Sequence, residues 1–129
     1  MTDELIDDEE FAEPFVMRER DVETPTGKAR IALLVCEPLE QAGFVNAFST
    51  RVGGTSLVPK DDLNLAHFKG DDPANVTENR RRFLQALGAE RATIVTARQT
   101  HSSERVMIET PALARDPQPE CDAMTTRLR

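Results

Sequence analysis

The chain has 129 residues, 39% of them hydrophobic, with no Trp or Tyr, six Phe and a formal net charge of −7. That length suits one small domain whose modest core is built mainly from Leu, Val, Ile and Ala. Seven acidic residues precede the first basic one, Arg18, and the other acidic residues balance the sixteen basic ones, so an acidic tail on a neutral domain offers no electrostatic footprint for nucleic acid or an anionic membrane.

Residues 1–13 carry too much like charge and too little apolar surface to offset ordering entropy, and read as a disordered acidic tail ahead of a domain over 14–129. Phe15-Val16-Met17 open a strand, and Thr24-Pro25-Thr26-Gly27 reads as a turn. Arg30 to Glu37 is an apolar run suited to a buried strand, stopped by Pro38. Cys36, near its end, reads as a small buried hydrophobe with no chemical role. Leu39 to Gly43 makes one helical turn, and Phe44 to Thr50 a strand that delivers Arg51.

The strongest local signal is a helix from Pro73 to Leu87, with Asp72 as N-cap, Pro73 at the first helical position and Gly88 in the left-handed position beyond the end. Val76, Phe83, Leu84 and Leu87 share a face; Arg80, Arg81 and Arg82 fall mostly off it and read as a solvated face. Thr93 to Ala97 and Arg105 to Glu109 pattern as strands, which leaves Gln99 to Ser103 as a connecting loop. Pro111, Pro117 and Pro119 mark an irregular segment before a short strand over Asp122 to Thr126. The fold class is α/β in the α+β sense: a mixed sheet with a few packed helices.

Two stretches carry the chemistry. At Arg51 a strand-like run stops and Gly53-Gly54 follow, so a permanently charged guanidinium and a tightly bent backbone could hold an anion together. The plainer alternative for Arg51 is an ion pair with Asp61 or Asp62. Asn64, between Leu63 and Leu65, would bury its flanks and leave its amide at the rim, and His101 is the best candidate for chemistry. Cys36 and Cys121 lie far apart and outside any CxxC, which suits reduced thiols. The N-terminus has no basic start and apolar run of a signal peptide, and no apolar run approaches a membrane span, so the expected compartment is the cytoplasm with no membrane partner.

Several blocks in fixed order carry a resemblance: Phe48-Ser49-Thr50-Arg51-Val52-Gly53-Gly54-Thr55-Ser56, then Asn64-Leu65, Asp71-Asp72-Pro73, Asn79-Arg80, Gln99-Thr100-His101 and Cys121-Asp122-Ala123-Met124-Thr125-Thr126. Over roughly Arg30 to Thr126 the chain resembles the multicopper polyphenol oxidase, laccase-domain or peptidoglycan-editing-factor family, whose members are read as zinc-dependent purine nucleoside phosphorylases. Within these blocks Arg51, Gly53, Gly54, Asn64 and Gln99 are the candidate substrate or phosphate-binding residues, and the resemblance implies His101 as one of three zinc ligands. The other two family ligands, a cysteine in an A-D-C block and a histidine in an H-A-G-W-R-G block, have no counterpart, so the chain looks like the N-terminal half of a member. One histidine cannot hold a catalytic zinc, which takes three protein ligands. An alternative set of Cys121, His67 and His101 has spacings that match no zinc motif. Where the family has His-Gly before F-S-T this chain has Asn46-Ala47, and Ser102 replaces the glycine after Q-x-H, which would restrict the loop if that position needs positive φ.

For the intact family the resemblance implies phosphorolysis of adenosine, inosine or methylthioadenosine, and deamination of adenosine. Zinc is the implied cofactor, although the older family name implies copper. The competing readings are a non-catalytic remnant or half-domain that needs a C-terminal partner, a polyphenol oxidase, and an editing hydrolase for peptidoglycan precursors. Expected partners are a purine nucleoside and phosphate, with a missing C-terminal half or a homo-oligomer left open.

Overall fold

The structure, a computed structural model, describes residues 13–57, 59–67, 70–111 and 118–129. The acidic tail read over 1–13 lies outside the described residues except for Glu13, as do residues 112–117 of the proline-marked segment. The fold is α+β and divides into two compact units, one through Ala92 and one from Thr93 to Arg129.

In the first unit, β1 (Phe15–Thr24) and β2 (Gly27–Cys36) pair antiparallel along their whole length, from Thr24 opposite Gly27 to Phe15 opposite Cys36. Pro25 and Thr26 make the turn, and Gly27 follows with φ +136°, a conformation that favours glycine. β2 therefore begins three residues before the expected Arg30, because pairing starts at the turn itself. Pro38 then sits in the first turn of α1 (Glu37–Gln41), as a residue without an N–H can.

The expected strand over Phe44 to Thr50 shrinks to β3 (Phe48–Ser49), which pairs with Leu33 and Leu34 of β2. The cause is Asn46. Its Oδ1 accepts from Cys36 N at 2.9 Å and its Nδ2 donates to Cys36 O at 3.2 Å, so a side chain occupies the ladder positions that backbone would have filled. Cys36 itself is half-buried rather than buried.

Alternation on the hairpin gives the sheet one core face. Val22, Ile31, Leu33 and Val35 pack with Leu63 as the buried cluster, and Phe83, Ala86 and Leu87 cover it. The opposite face ends in Phe15, Met17 and Phe48, all exposed, with the two phenyl rings 6.0 Å apart.

The helix α2 (Pro73–Ala86) forms as its signals foretell: the Asp72 carboxylate accepts from Ala74 N at 2.9 Å, and Gly88 takes φ +68° beyond the C-cap Leu87. Val76 is buried and Phe83 and Leu87 pack against the core, as the sequence reading has it, but polar Asn79 and Arg82 are buried on the inner side as well. Arg82 is thus no part of a solvated arginine face. Its Nε donates to Glu78 at 3.0 Å and its Nη1 to Gly53 O at 2.9 Å, so the charge is paired as it is buried.

The second unit pairs β5 (Arg105–Ile108) with β6 (Ala123–Thr126) in parallel, around buried Ile108 and Cys121. Thr93 to Ala97 forms no strand; just after it, Arg98 makes an isolated bridge with Glu120. Pro119 explains the stop, because it can accept from Arg98 N at 2.9 Å but has no N–H to extend the pairing. Among the described residues, no helix is long and apolar enough to cross a membrane.

Candidate functional site

The candidate residues occupy two turns, one in each unit. In the first, β4 (Val52–Ser56) follows Arg51 and bridges Asp62 at both Val52 and Ser56. The two glycines are set by close approach of backbone. A Cβ on Gly53, which has φ +98°, would overlap the Arg30 carbonyl and the Ile31 side chain; one on Gly54 would overlap the Asp62 carbonyl. The Gly54 N–H donates to Asp61 O at 3.0 Å, and the Gly53 carbonyl is the one Arg82 holds.

Arg51 stands clear of this packing. Its side chain is 75% exposed and its Nε donates to Asp62 Oδ1 at 2.9 Å, the ion-pair alternative in the form that uses Asp62. One edge of the guanidinium is thereby oriented, and among the described residues its terminal nitrogens make no protein hydrogen bond.

Behind the turn lies a polar hub that the sequence did not disclose. Asn79, with 0% exposure, accepts at Oδ1 from Thr55 N (2.8 Å) and Thr55 Oγ1 (3.1 Å) and donates through Nδ2 to Ser56 Oγ and Asn64 O, both at 2.9 Å. Ser56 Oγ donates to Asp71 Oδ2, and Asn64 Nδ2 reaches the same oxygen at 2.9 Å. Donation from Asn64 first, then from Ser56, holds the Asp71 carboxyl below its ordinary range. Asn64 also closes a turn with Ala66, accepting from its N at 3.1 Å and donating to its O at 3.0 Å. Its amide is committed to the fold on both sides. Arg80 Nε caps the same segment at Leu65 O, 2.8 Å away. A clue existed: Asn79 and Arg82 lie three and six residues beyond Val76, on its helical face.

In the second unit, His101 is exposed and adopts φ +57°, while Gln99 is exposed beside it. Asp122, whose role the sequence did not show, organises this turn. Its Oδ1 accepts from Thr100 N (3.2 Å) and His101 N (2.9 Å); its Oδ2 accepts from Ser102 N and Ser102 Oγ, both at 2.7 Å, and from Thr100 Oγ1 at 3.1 Å. These donors, led by the Ser102 hydroxyl and then its amide, pull the Asp122 carboxyl down to about 2. The left-handed residue is thus His101 and not Ser102, whose hydroxyl takes part in the network.

His101 fits a metal donor in one respect: it presents an imidazole that, among the described residues, has no hydrogen-bond partner. The described residues supply no group of three His, Cys, Asp or Glu able to hold a metal. His67 is exposed, and Cys121 is wholly buried with its Sγ 4.0 Å from Pro119 O, an inert setting for a thiol.

Residues 45–129 match the family described as multi-copper polyphenol oxidoreductase laccase. The chain belongs to that family. It is 39% identical over 82 residues to a purine nucleoside phosphorylase of Streptomyces coelicolor, a match covering 64% of this chain and 34% of that protein. A purine nucleoside phosphorylase of Escherichia coli is 44% identical over 54 residues, covering 42% of this chain and 22% of its own length. One of Mycobacterium bovis is 38% identical over 63 residues, covering 49% and 25%. The chain spans about a third of the length of the first of these relatives. No solved structure matches it. The laccase description implies metal binding, with copper as the metal named.

Proposed function

We propose that this chain provides two parts of a purine nucleoside phosphorylase: Arg51, in the first unit, as a phosphate-facing group, and His101, in the second, as one donor to a zinc ion completed by residues outside the matched stretch. The observation that carries this reading is the pair of exposed turns: each presents one side chain suited to the reaction and anchors it by packing or hydrogen bonds behind it. In phosphorolysis an oxygen of orthophosphate bonds to the anomeric carbon as the N-glycosidic bond breaks. The bonding pair leaves with the purine nitrogen, which takes a proton, and ribose 1-phosphate is released.

Arg51 suits the anion because its planar guanidinium stays charged and Asp62 fixes one edge of it. Gly53, Gly54 and Asn64 shape the turn from behind, and exposed Gln99 offers an amide to the nucleoside. A bound zinc would supply an activated water for adenosine deamination. The proposed substrates are adenosine, inosine and methylthioadenosine, in a cytoplasmic setting.

A second reading is favoured by the lack, among the described residues, of any group of three His, Cys, Asp or Glu side chains able to hold a metal: the chain by itself is not catalytic. The same experiment addresses both. Purified chain with inosine, phosphate and zinc should release no hypoxanthine above a blank. The chain joined to the remaining portion of the Streptomyces coelicolor relative should release it in a phosphate-dependent manner, losing activity with His101→Ala and requiring more phosphate with Arg51→Ala. Release independent of phosphate, or unchanged in both variants, would overturn the phosphorylase reading.

A further inference from the structure

We propose that Asp122 is the positioning residue for His101: its carboxylate folds Thr100, His101 and Ser102 into one turn and fixes the direction in which the imidazole is presented. The inference rests on the reading of His101 as a metal donor, but its geometry stands apart from that reading. Three consecutive backbone N–H groups, at Thr100, His101 and Ser102, converge on the two oxygens of one carboxylate. Convergence of this kind makes an anion-binding concavity, and here a residue of the same chain fills it. The hydroxyls of Thr100 and Ser102 add two further donors, and Ser102 Oγ accepts in turn from Glu104 N at 3.1 Å, which ties the turn to the start of β5.

The carboxylate is itself held. Asp122 N donates to Glu104 O at 3.1 Å, Cys121 N donates to Arg98 O at 3.1 Å, and Asp122 immediately precedes β6. Any movement of the turn must therefore break bonds to a residue fixed at the sheet edge. His101 meanwhile occupies φ +57°, which a residue with a Cβ adopts at a cost and keeps only when its surroundings impose it. The five donors to Asp122 are what impose it. A ligand side chain needs this support, because a metal site tolerates little misdirection of its donors.

The carboxylate's two oxygens divide the work, which gives the test its resolution. Oδ1 holds the Thr100 and His101 amides and Oδ2 holds Ser102. Asp122→Asn keeps one acceptor oxygen but places an NH2 group against the other set of donors. Backbone amide exchange of the 129-residue chain, followed by NMR, should rise at least tenfold at all three positions in Asp122→Ala. In Asp122→Asn it should rise at one side of the turn and not at the other. Zinc chloride titrated into the chain joined to the remaining portion of the Streptomyces coelicolor relative should shift the His101 imidazole resonances, and the zinc concentration giving half the shift should rise several-fold in Asp122→Ala. Unchanged exchange at Thr100, His101 and Ser102 in both variants would overturn the proposal. Faster exchange with an unchanged zinc response at His101 would also overturn it, by making Asp122 merely a loop brace. If the exchange pattern is as expected but zinc shifts no His101 resonance in the joined chain, the metal-donor reading fails and the holding of the turn stands.

Discussion

The hub around Asn79 and the turn around Asp122 are both polar networks centred on residues in the family blocks, yet they spend their hydrogen bonds differently. Asn79, Ser56, Asn64 and Asp71 direct donors and acceptors at one another, and Asn79 does so at 0% exposure. At Asp122 the network lies on the surface and grips only the backbone and hydroxyls of the turn, so the His101 imidazole stays outside it. The difference separates residues that build the fold from residues the fold presents. A buried polar group left without its partner costs far more than an exposed ion pair contributes. Block membership alone cannot tell the two kinds apart.

The largest expected effect lies in the hub. Asn79→Ala strands Thr55 N, Ser56 Oγ and Asn64 O, and should cost about 4 kcal/mol of unfolding free energy, read from the urea midpoint. A loss within roughly 0.5 kcal/mol would mean that the hub is not what holds β4 to α2. Next comes Gly54→Ala, where the new Cβ meets the Asp62 backbone rather than a flexible side chain; overpacking of that kind should cost about 3 kcal/mol. Circular dichroism through a thermal ramp would show it as a lower unfolding midpoint, and an unchanged midpoint would show that the 61–63 segment can move aside.

Glu78 sharpens the comparison through pH. Its bond from Arg81, then that from Arg82, brings the carboxyl from its ordinary 4.5 down to about 2. The ionised form is the one held by folding, so its contribution is complete above the ordinary value and lost as pH falls through about 2. Glu78→Gln should flatten the stability profile across that window, and should cost about 2 kcal/mol at neutral pH because Arg82 stays buried without its counter-charge. A wild-type profile already flat across that window would contradict the pairing.

Much of the first unit was legible because its signals are local. The hairpin follows from a turn flanked by strand-forming runs, and α2 from Asp72, Pro73 and Gly88 at its ends. The misses were non-local or inverted a rule of thumb. Asn46 imitates a strand partner for Cys36, ten residues away, and nothing in the Phe44 to Thr50 composition reveals that. Arg82 and Asn79 were obscured by their polarity, although their helical position pointed inward. Asp122 escaped notice because its partners lie some 20 residues earlier in the chain. Of the candidate site, Arg51 and His101 were readable as types on turns; what supports them became visible only in three dimensions.

Asn64 and Arg51 make the sharpest pair, since the sequence placed both at the substrate and the structure gives them opposite surroundings. Asn64 spends its amide on Asp71 and Ala66, whereas Arg51 is 75% exposed with Asp62 as its one acidic partner among the described residues. Urea unfolding of Asn64→Ala and Arg51→Ala, measured side by side, tests the division between building and presented residues most directly. Asn64→Ala should lose about 1.5 kcal/mol, and Arg51→Ala roughly 0.5 kcal/mol or less. Equal losses in the two variants, or a larger loss for Arg51→Ala, would contradict it.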